Sequence, residues 1–269
     1  MGNGGGNPGK SGQGMTALAA GSLAGRTAVV TGAGGGLGRA IAQRLAALGA
    51  NVACGDLVTE AAAETAASVT GMGGSASSFG VDVTKEKEVR DWHEHVTETF
   101  GDVSIVVSAA GMIERRMLGE LPGEGLQNAM NVNVLGPFLV AQAFEKELVA
   151  HPHGRVVNIA SVAGLSGYPF PAYAASKAAL VNLSRSLLTS FWGTGVTVNA
   201  VCPGAMDTAM FNSKLIPAIA KRTPSGRIVT VQEVAETVAF LSLPIAAALN
   251  GLALPVDGGE SAVFHYEQG

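Results

Sequence analysis

Short apolar runs rich in β-branched residues alternate along the chain with longer segments of helical period. Thr27-Ala-Val-Val-Thr31, Asn51-Val-Ala-Cys-Gly-Asp56 and Val103-Ser-Ile-Val-Val107 come early, and Arg155-Val-Val-Asn-Ile159, Val196-Thr-Val-Asn-Ala-Val201 and Leu252-Ala-Leu-Pro-Val256 follow. Between the first two runs, Leu37, Ile41, Leu45 and Leu48 share one face of a helix, and Gly49 supplies its stop. Runs that are apolar at nearly every position read as strands buried on both faces, so the sheet is parallel and covered by helices above and below. Right-handed crossovers then predict an α/β fold with a doubly wound parallel sheet of about seven strands.

Seven of the fourteen residues from Met1 to Gly14 are glycine, which predicts a flexible tail over residues 1–22 ahead of one domain spanning 23–269. The chain has 269 residues, 47% hydrophobic and 14% charged, which excludes disorder over most of its length. A net charge of -4 argues against a nucleic-acid or anionic-membrane partner, both of which need a basic footprint. A small-molecule partner is the better expectation. No apolar run reaches the roughly 18 residues of a membrane span, and Ala17 to Gly25 is too short for a secretory signal. Cys54 and Cys202 stand singly in apolar runs, which predicts neither disulfide nor metal site and suits a reducing cytoplasm. The pairs His93/His95 and His151/His153 lack a third ligand at a recognisable spacing, so no metal is expected.

The first strand runs into Thr31-Gly-Ala-Gly-Gly-Gly-Leu-Gly38 and then into a helix. Glycines at 32, 36 and 38 permit φ > 0, close approach of the backbone to a diphosphate, and tight packing of helix on strand, with the helix N-terminus facing the negative charge. Asp56 closes the second strand twenty residues after Gly36, where a carboxylate can bind ribose hydroxyls and repel a 2'-phosphate. Leu57 follows it, and positions 33–35 carry no basic side chain, so the expected cofactor is NAD(H).

Downstream stands Tyr173-Ala-Ala-Ser-Lys177, whose i, i+4 spacing puts both functional side chains on one helix face. A lysine charge about 4 Å from a phenol is worth roughly 4 kcal/mol at an effective dielectric near 20. That is enough to draw the hydroxyl from about 10 towards neutral pH, so that it can exchange a proton with a secondary alcohol. Ser161 ends the Asn158-Ile-Ala-Ser161 strand, at the sheet edge where ligands bind in open α/β folds, and Asn133 is a polar group within the apolar helical run Met130 to Gly136.

Taken together in chain order, these motifs resemble the short-chain dehydrogenase/reductase family over Leu23 to about Phe264. The resemblance rests on Thr31-Gly-x-x-x-Gly-x-Gly38, Asp82-Val83, Asn133, Ser161, Tyr173-x-x-x-Lys177, Pro203-Gly204 with Thr208, and Val256-Asp-Gly-Gly259. It implies a single-domain Rossmann-like fold and hydride transfer between an alcohol or ketone and NAD, usually in a homotetramer or dimer. It further implies that Tyr173 is the acid/base, that Lys177 lowers its pKa and holds the nicotinamide ribose, that Ser161 orients the substrate carbonyl and that Asn133 supports a relay water. Cofactor contacts are implied for Gly32, Gly36, Leu37, Gly38, Asp56, Ala110 and Gly111, for Asp82 and Val83 beside the adenine, and for Pro203, Gly204, Met206 and Thr208 at the nicotinamide end.

Two departures from the family pattern stand out. Its Asn-Asn-Ala-Gly motif reads Ser108-Ala109-Ala110-Gly111, and Ser161 to Tyr173 spans twelve positions, one fewer than is usual. Alternatives are an NADP-dependent 3-ketoacyl-thioester reductase and a nucleotide-binding sensor without turnover. The segment 205–228, with Met206, Met210, Phe211, Leu215 and Ile216, reads as an apolar cover over substrate, and Arg115-Arg116 as either a solvated helix start or a contact to an acidic substrate.

Overall fold

The computed structural model describes residues 19, 21–208 and 211–263, so the proposed tail and Met210 fall almost wholly outside the described residues. Seven strands, β1 (Thr27–Thr31), β2 (Asn51–Asp56), β3 (Ser75–Gly80), β4 (Ile105–Ser108), β5 (Arg155–Ile159), β6 (Thr197–Pro203) and β7 (Ala253–Val256), form one sheet in the order β3-β2-β1-β4-β5-β6-β7. All six pairings are parallel. The order reverses between β1 and β4, which opens a crevice at their carboxyl ends.

Successive strand residues feed two opposite cores. Val30, Cys54, Val107 and Val157 pack on one face beneath α1 (Gly36–Ala47) and α9 (Val231–Ser242), with α2 (Thr59–Gly71) beside them. Val29, Ala53, Val106 and Val156 pack on the other against α3 (Glu86–Phe100), α5 (Gly136–Ala143) and α6 (Glu145–Ala150), around Trp92, Val140, Phe144 and Leu148. The doubly covered sheet read from the apolar runs is therefore the fold observed.

Helix α4 (Gly123–Met130) continues into α5 through a π-helical turn, Asn131–Leu135. An extra residue in such a turn widens the helix, a distortion frequent at functional sites. Here it carries Asn133, which is fully buried. Helix α7 (Pro171–Leu187) starts on a proline at its first position, which fits because that N–H has no intrahelical acceptor. Beyond β6 comes α8 (Ile216–Arg222), and Met206 pairs with Val229 in an isolated parallel bridge.

Candidate active site

The crevice holds a cavity of about 340 Å³. Gly32 and Gly36, on its wall, have φ values of +65° and +51°, the left-handed region that favours glycine. A β-carbon on Gly32 would stand 2.7 Å from the Ala110 backbone nitrogen, and one on Gly38 would stand 2.0 Å from the Gly32 carbonyl oxygen. These glycines let strand, helix and the β4 exit close on one another. The Thr31 hydroxyl oxygen completes the junction by accepting the backbone N–H groups of Ala109 and Ala110, both at 3.1 Å. Helix α1 begins here with no side-chain cap and no acidic residue in its first turn. Its first N–H groups therefore face the cavity open to an anion, and the wall fits the diphosphate of a dinucleotide.

Asp56, at the carboxyl end of β2, lines the same cavity. Its Oδ2 accepts the Gly34 backbone N–H at 2.8 Å and its Oδ1 accepts that of Val58 at 3.0 Å. The carboxylate is thus held in place from both sides. Arg39 holds the other side of the same residue by donating to the Gly34 carbonyl at 2.7 Å, and it is engaged with Thr65 and Glu64 as well.

Ser161, Tyr173 and Lys177 meet at the opposite end of this cavity. The Ser161 oxygen accepts the Ala163 backbone N–H at 3.2 Å, which starts a 3-10 turn and fixes the hydroxyl. Lys177 is buried, donates to the Ile159 carbonyl at 2.8 Å, and sits 6.0 Å from the centre of the Tyr173 ring. Burial lowers its pKa to about 8. Tyr173 departs from expectation: burial raises its pKa above the ordinary phenol value, against the opposing pull of Ser161, within hydrogen-bonding reach, and of the Arg115 charge. The expectation that Lys177 lowers it fails here because the ammonium is turned to a carbonyl of β5 and desolvation of the phenolate outweighs the charges around it.

Asn133 contacts the site through the backbone. Its Oδ1 accepts the Met112 N–H at 2.9 Å while its Nδ2 donates to the Met112 carbonyl at 3.0 Å and to the Ser176 hydroxyl at 2.9 Å. Ser176 in turn donates to the Tyr173 carbonyl. Asn133 therefore clamps the strand exit at Met112 to the turn of α7 that carries the tyrosine.

A second compartment opens beyond Ser161 and Tyr173, lined by Tyr168, Met206, Phe211 and Ile219 with the ion pair Arg222–Glu260. Of the residues read as an apolar cover, Met206 and Phe211 line this compartment, Leu215 and Ile216 do not, and Ile219, one turn further along α8, was not among them. Arg116 pairs instead with Glu114, 2.9 Å between Nε and Oε1, holding that carboxyl well below its usual range at about 2.

The structure thus brings Gly32, Gly36, Leu37, Gly38, Asp56, Ala110, Gly111, Ser161, Tyr173, Lys177, Pro203, Gly204, Met206 and Thr208 to one cavity. Asp82, Val83 and Asn133 stand outside its wall. The Asp82 carboxylate is turned to the Thr84 N–H and hydroxyl, and Val83 is buried where a β-carbon on Gly136 would meet it. Sequence reading did not single out Gly35, Ala109, Met112, Ile113, Ile159 and Ala160 as site residues, and they also line the cavity. Each lies within two positions of Gly36, Gly111 or Ser161, so the strand-end register was the signal that could have found them.

An open α/β sheet with a glycine-lined crevice and a Ser-Tyr-Lys cluster at its strand ends defines a dinucleotide-dependent oxidoreductase. Residues 32–261 match the family described as enoyl-(acyl carrier protein) reductase. The 2-(S)-hydroxypropyl-CoM dehydrogenase 3 of Xanthobacter autotrophicus is 36% identical over 244 residues, 87% of this chain and 96% of that protein. The 3-oxoacyl-(acyl-carrier-protein) reductase of Escherichia coli is 35% identical over 239 residues, 87% and 97% of the two chains. Among solved structures, a gluconate 5-dehydrogenase from Burkholderia cenocepacia with NADP and tartrate superimposes with a TM-score of 0.85 at 31% identity, covering 90% of this chain and 97% of its own. A protein described as a D-mannonate oxidoreductase from Haemophilus influenza, with bound NAD, gives 0.85 at 28% identity and the same coverage. The chain belongs to the short-chain dehydrogenase/reductase family and is an oxidoreductase acting between alcohol and ketone with a nicotinamide cofactor.

Proposed function

We propose that the protein interconverts a secondary alcohol and a ketone with NAD(H), using Tyr173 as the acid/base. The observation that carries this reading is the placement of Ser161, Tyr173 and Lys177 on the wall of the cavity that also holds Asp56 and the glycine loop. In oxidation the alcohol proton passes to the Tyr173 oxygen while the Ser161 hydroxyl holds the substrate oxygen. When bound, the nicotinamide takes the hydride from the carbinol carbon. Lys177, anchored on Ile159, supplies a donor for the nicotinamide ribose. Asn133 positions this wall through Met112 and Ser176. Asp82 and Val83 are assigned to the adenine end.

Asp56 supports NAD over NADP, because a 2'-phosphate would approach a carboxylate already fixed by two backbone donors. The similarity to the 3-oxoacyl-(acyl-carrier-protein) reductase favours a second reading, an NADP-dependent ketoacyl-thioester reductase. Purified protein given secondary alcohols with NAD or NADP, and the matching ketones with NADH or NADPH, separates the two by absorbance of the nicotinamide. Turnover with NAD(H) is expected; turnover with NADP(H) alone contradicts the assignment.

The exposed alanines Ala175 and Ala178 on α7 would allow close helix contact between subunits, so a homodimer or homotetramer is proposed, checked by light scattering. The two cysteines are free and buried, which suits a reducing compartment such as the cytoplasm. Among the described residues no helix is long and apolar enough to cross a membrane.

A further inference from the structure

Among the described residues the compartment beyond Ser161 and Tyr173 carries the ion pair Arg222–Glu260 on its wall, where the body of a substrate held by those hydroxyls must lie. Arg222, the last residue of α8, donates through Nε and Nη2 to a single carboxylate oxygen of Glu260, Oε1, at 3.0 and 2.7 Å. The two members are not equivalent. The Glu260 side chain is 16% exposed and that of Arg222 is 54% exposed, so the carboxylate is the inner member. Among the described residues Oε2 of Glu260 accepts no hydrogen bond, and it lies 3.6 Å from where a β-carbon on Gly204 would stand. Gly204 belongs to both compartments, so this oxygen faces the path between them.

The backbone that carries the carboxylate is also tied down. In the turn after β7, Asp257 accepts the backbone N–H groups of Gly259 and Ser261 at 2.9 and 2.8 Å. The Ser225 N–H donates to the Gly258 carbonyl at 3.1 Å, which ties this turn to the chain following α8. The turn and the pairing with Arg222 together keep the carboxylate at this wall. An incoming carboxylate would meet an ion of its own sign, in a half-enclosed space where charges interact more strongly than in water, while the guanidinium is already committed. A neutral hydroxyl or amide would instead satisfy Oε2 by donating to it.

We propose that Glu260, held by Arg222, is a specificity-determining residue: it admits neutral alcohols and ketones that carry a hydrogen-bond donor remote from the reacting carbon, and it turns away those that carry a carboxylate. The proposal rests on the alcohol-to-ketone reading given above. Its test uses the enzyme saturated with NADH and titrated with a homologous series of methyl ketones ending in a carboxylate, each matched by its primary amide. Nicotinamide fluorescence reports the dissociation constants. In the native protein the amides should bind at least about tenfold more tightly than the carboxylates. In Glu260→Gln that ratio should fall about tenfold, through gain of carboxylate binding at the freed Arg222, with amide and NADH binding retained. Glu260→Asp should keep the preference for the amide. The inference is overturned if the native protein binds carboxylates as well as amides or binds neither, whether or not the Gln variant folds, and equally if that variant keeps the native ratio. Failure of the underlying reading would show differently, as no NAD(H) turnover of either series or turnover that survives Tyr173→Phe.

Discussion

The ammonium of Lys177 donates to the carbonyl oxygen of Ile159 at 2.8 Å. That bond ties α7 to the carboxyl end of β5, two residues before Ser161, and so fixes the helix that carries Tyr173 against the strand end that carries its partner. The cost is a buried cation. Burial likewise raises Tyr173, so each group's equilibrium is shifted towards its uncharged form.

Stability should show the buried lysine directly. With its pKa lowered from 10.5 to about 8, the unfolded chain binds more protons than the folded one between those values, so the destabilisation is complete below about pH 8 and disappears as pH rises towards 10.5. Lys177→Met removes this penalty while leaving the Ile159 carbonyl without its donor. The unfolding free energy of the variant relative to the native protein should therefore drop by up to about 3 kcal/mol between pH 7 and 10.5. Denaturant titrations at the two ends of the range check it. The raised Cys54 and Cys202 thiols titrate in both proteins and largely cancel in the difference. A difference independent of pH would contradict the burial argument.

Asp56 should set the choice of cofactor. Asp56→Ala removes the charge that opposes a 2'-phosphate but also the acceptor for the Gly34 and Val58 N–H groups. We expect kcat/KM with NAD to fall and the ratio of NADP to NAD use to rise by about tenfold or more. Steady-state rates with both cofactors measure it, and an unchanged ratio would place selectivity elsewhere.

Asn133→Ala should damage both fold and turnover. The buried amide serves the N–H and carbonyl of Met112 and the Ser176 hydroxyl, and each orphaned group costs about 1–3 kcal/mol. A loss of roughly 3 kcal/mol in unfolding free energy is expected, together with a lower kcat as the Gly111–Met112 wall loosens. A variant of native stability and rate would remove Asn133 from this role.

Much of this was legible in the chain because the buried strands declare themselves. β1, β2 and β5 end at the residues where their apolar runs end. No apolar run marks β3, since Ser75–Gly80 is an edge strand pairing only with β2 and partly exposed, so nothing selects for branched side chains. The glycine loop, Asp56 and the Tyr173/Lys177 spacing are local and readable. The environment of Lys177 is not, because its acceptor on β5 lies eighteen residues away in sequence. Arg222 and Glu260 lie thirty-eight positions apart and meet only through the turn after β7.

In the proposed NAD(H)-linked reaction Tyr173 passes the proton. The decisive comparison is Tyr173→Phe beside the native protein, with NADH binding followed by fluorescence and turnover by absorbance across pH. Because burial raises the Tyr173 pKa, native alcohol oxidation should rise with pH above neutrality as the hydroxyl becomes able to accept a proton. The variant should bind NADH as the native protein does while turnover falls by about 10²–10⁴-fold and loses that pH dependence. Native-like turnover in the variant, or the same rise with pH, would show that another group carries the proton.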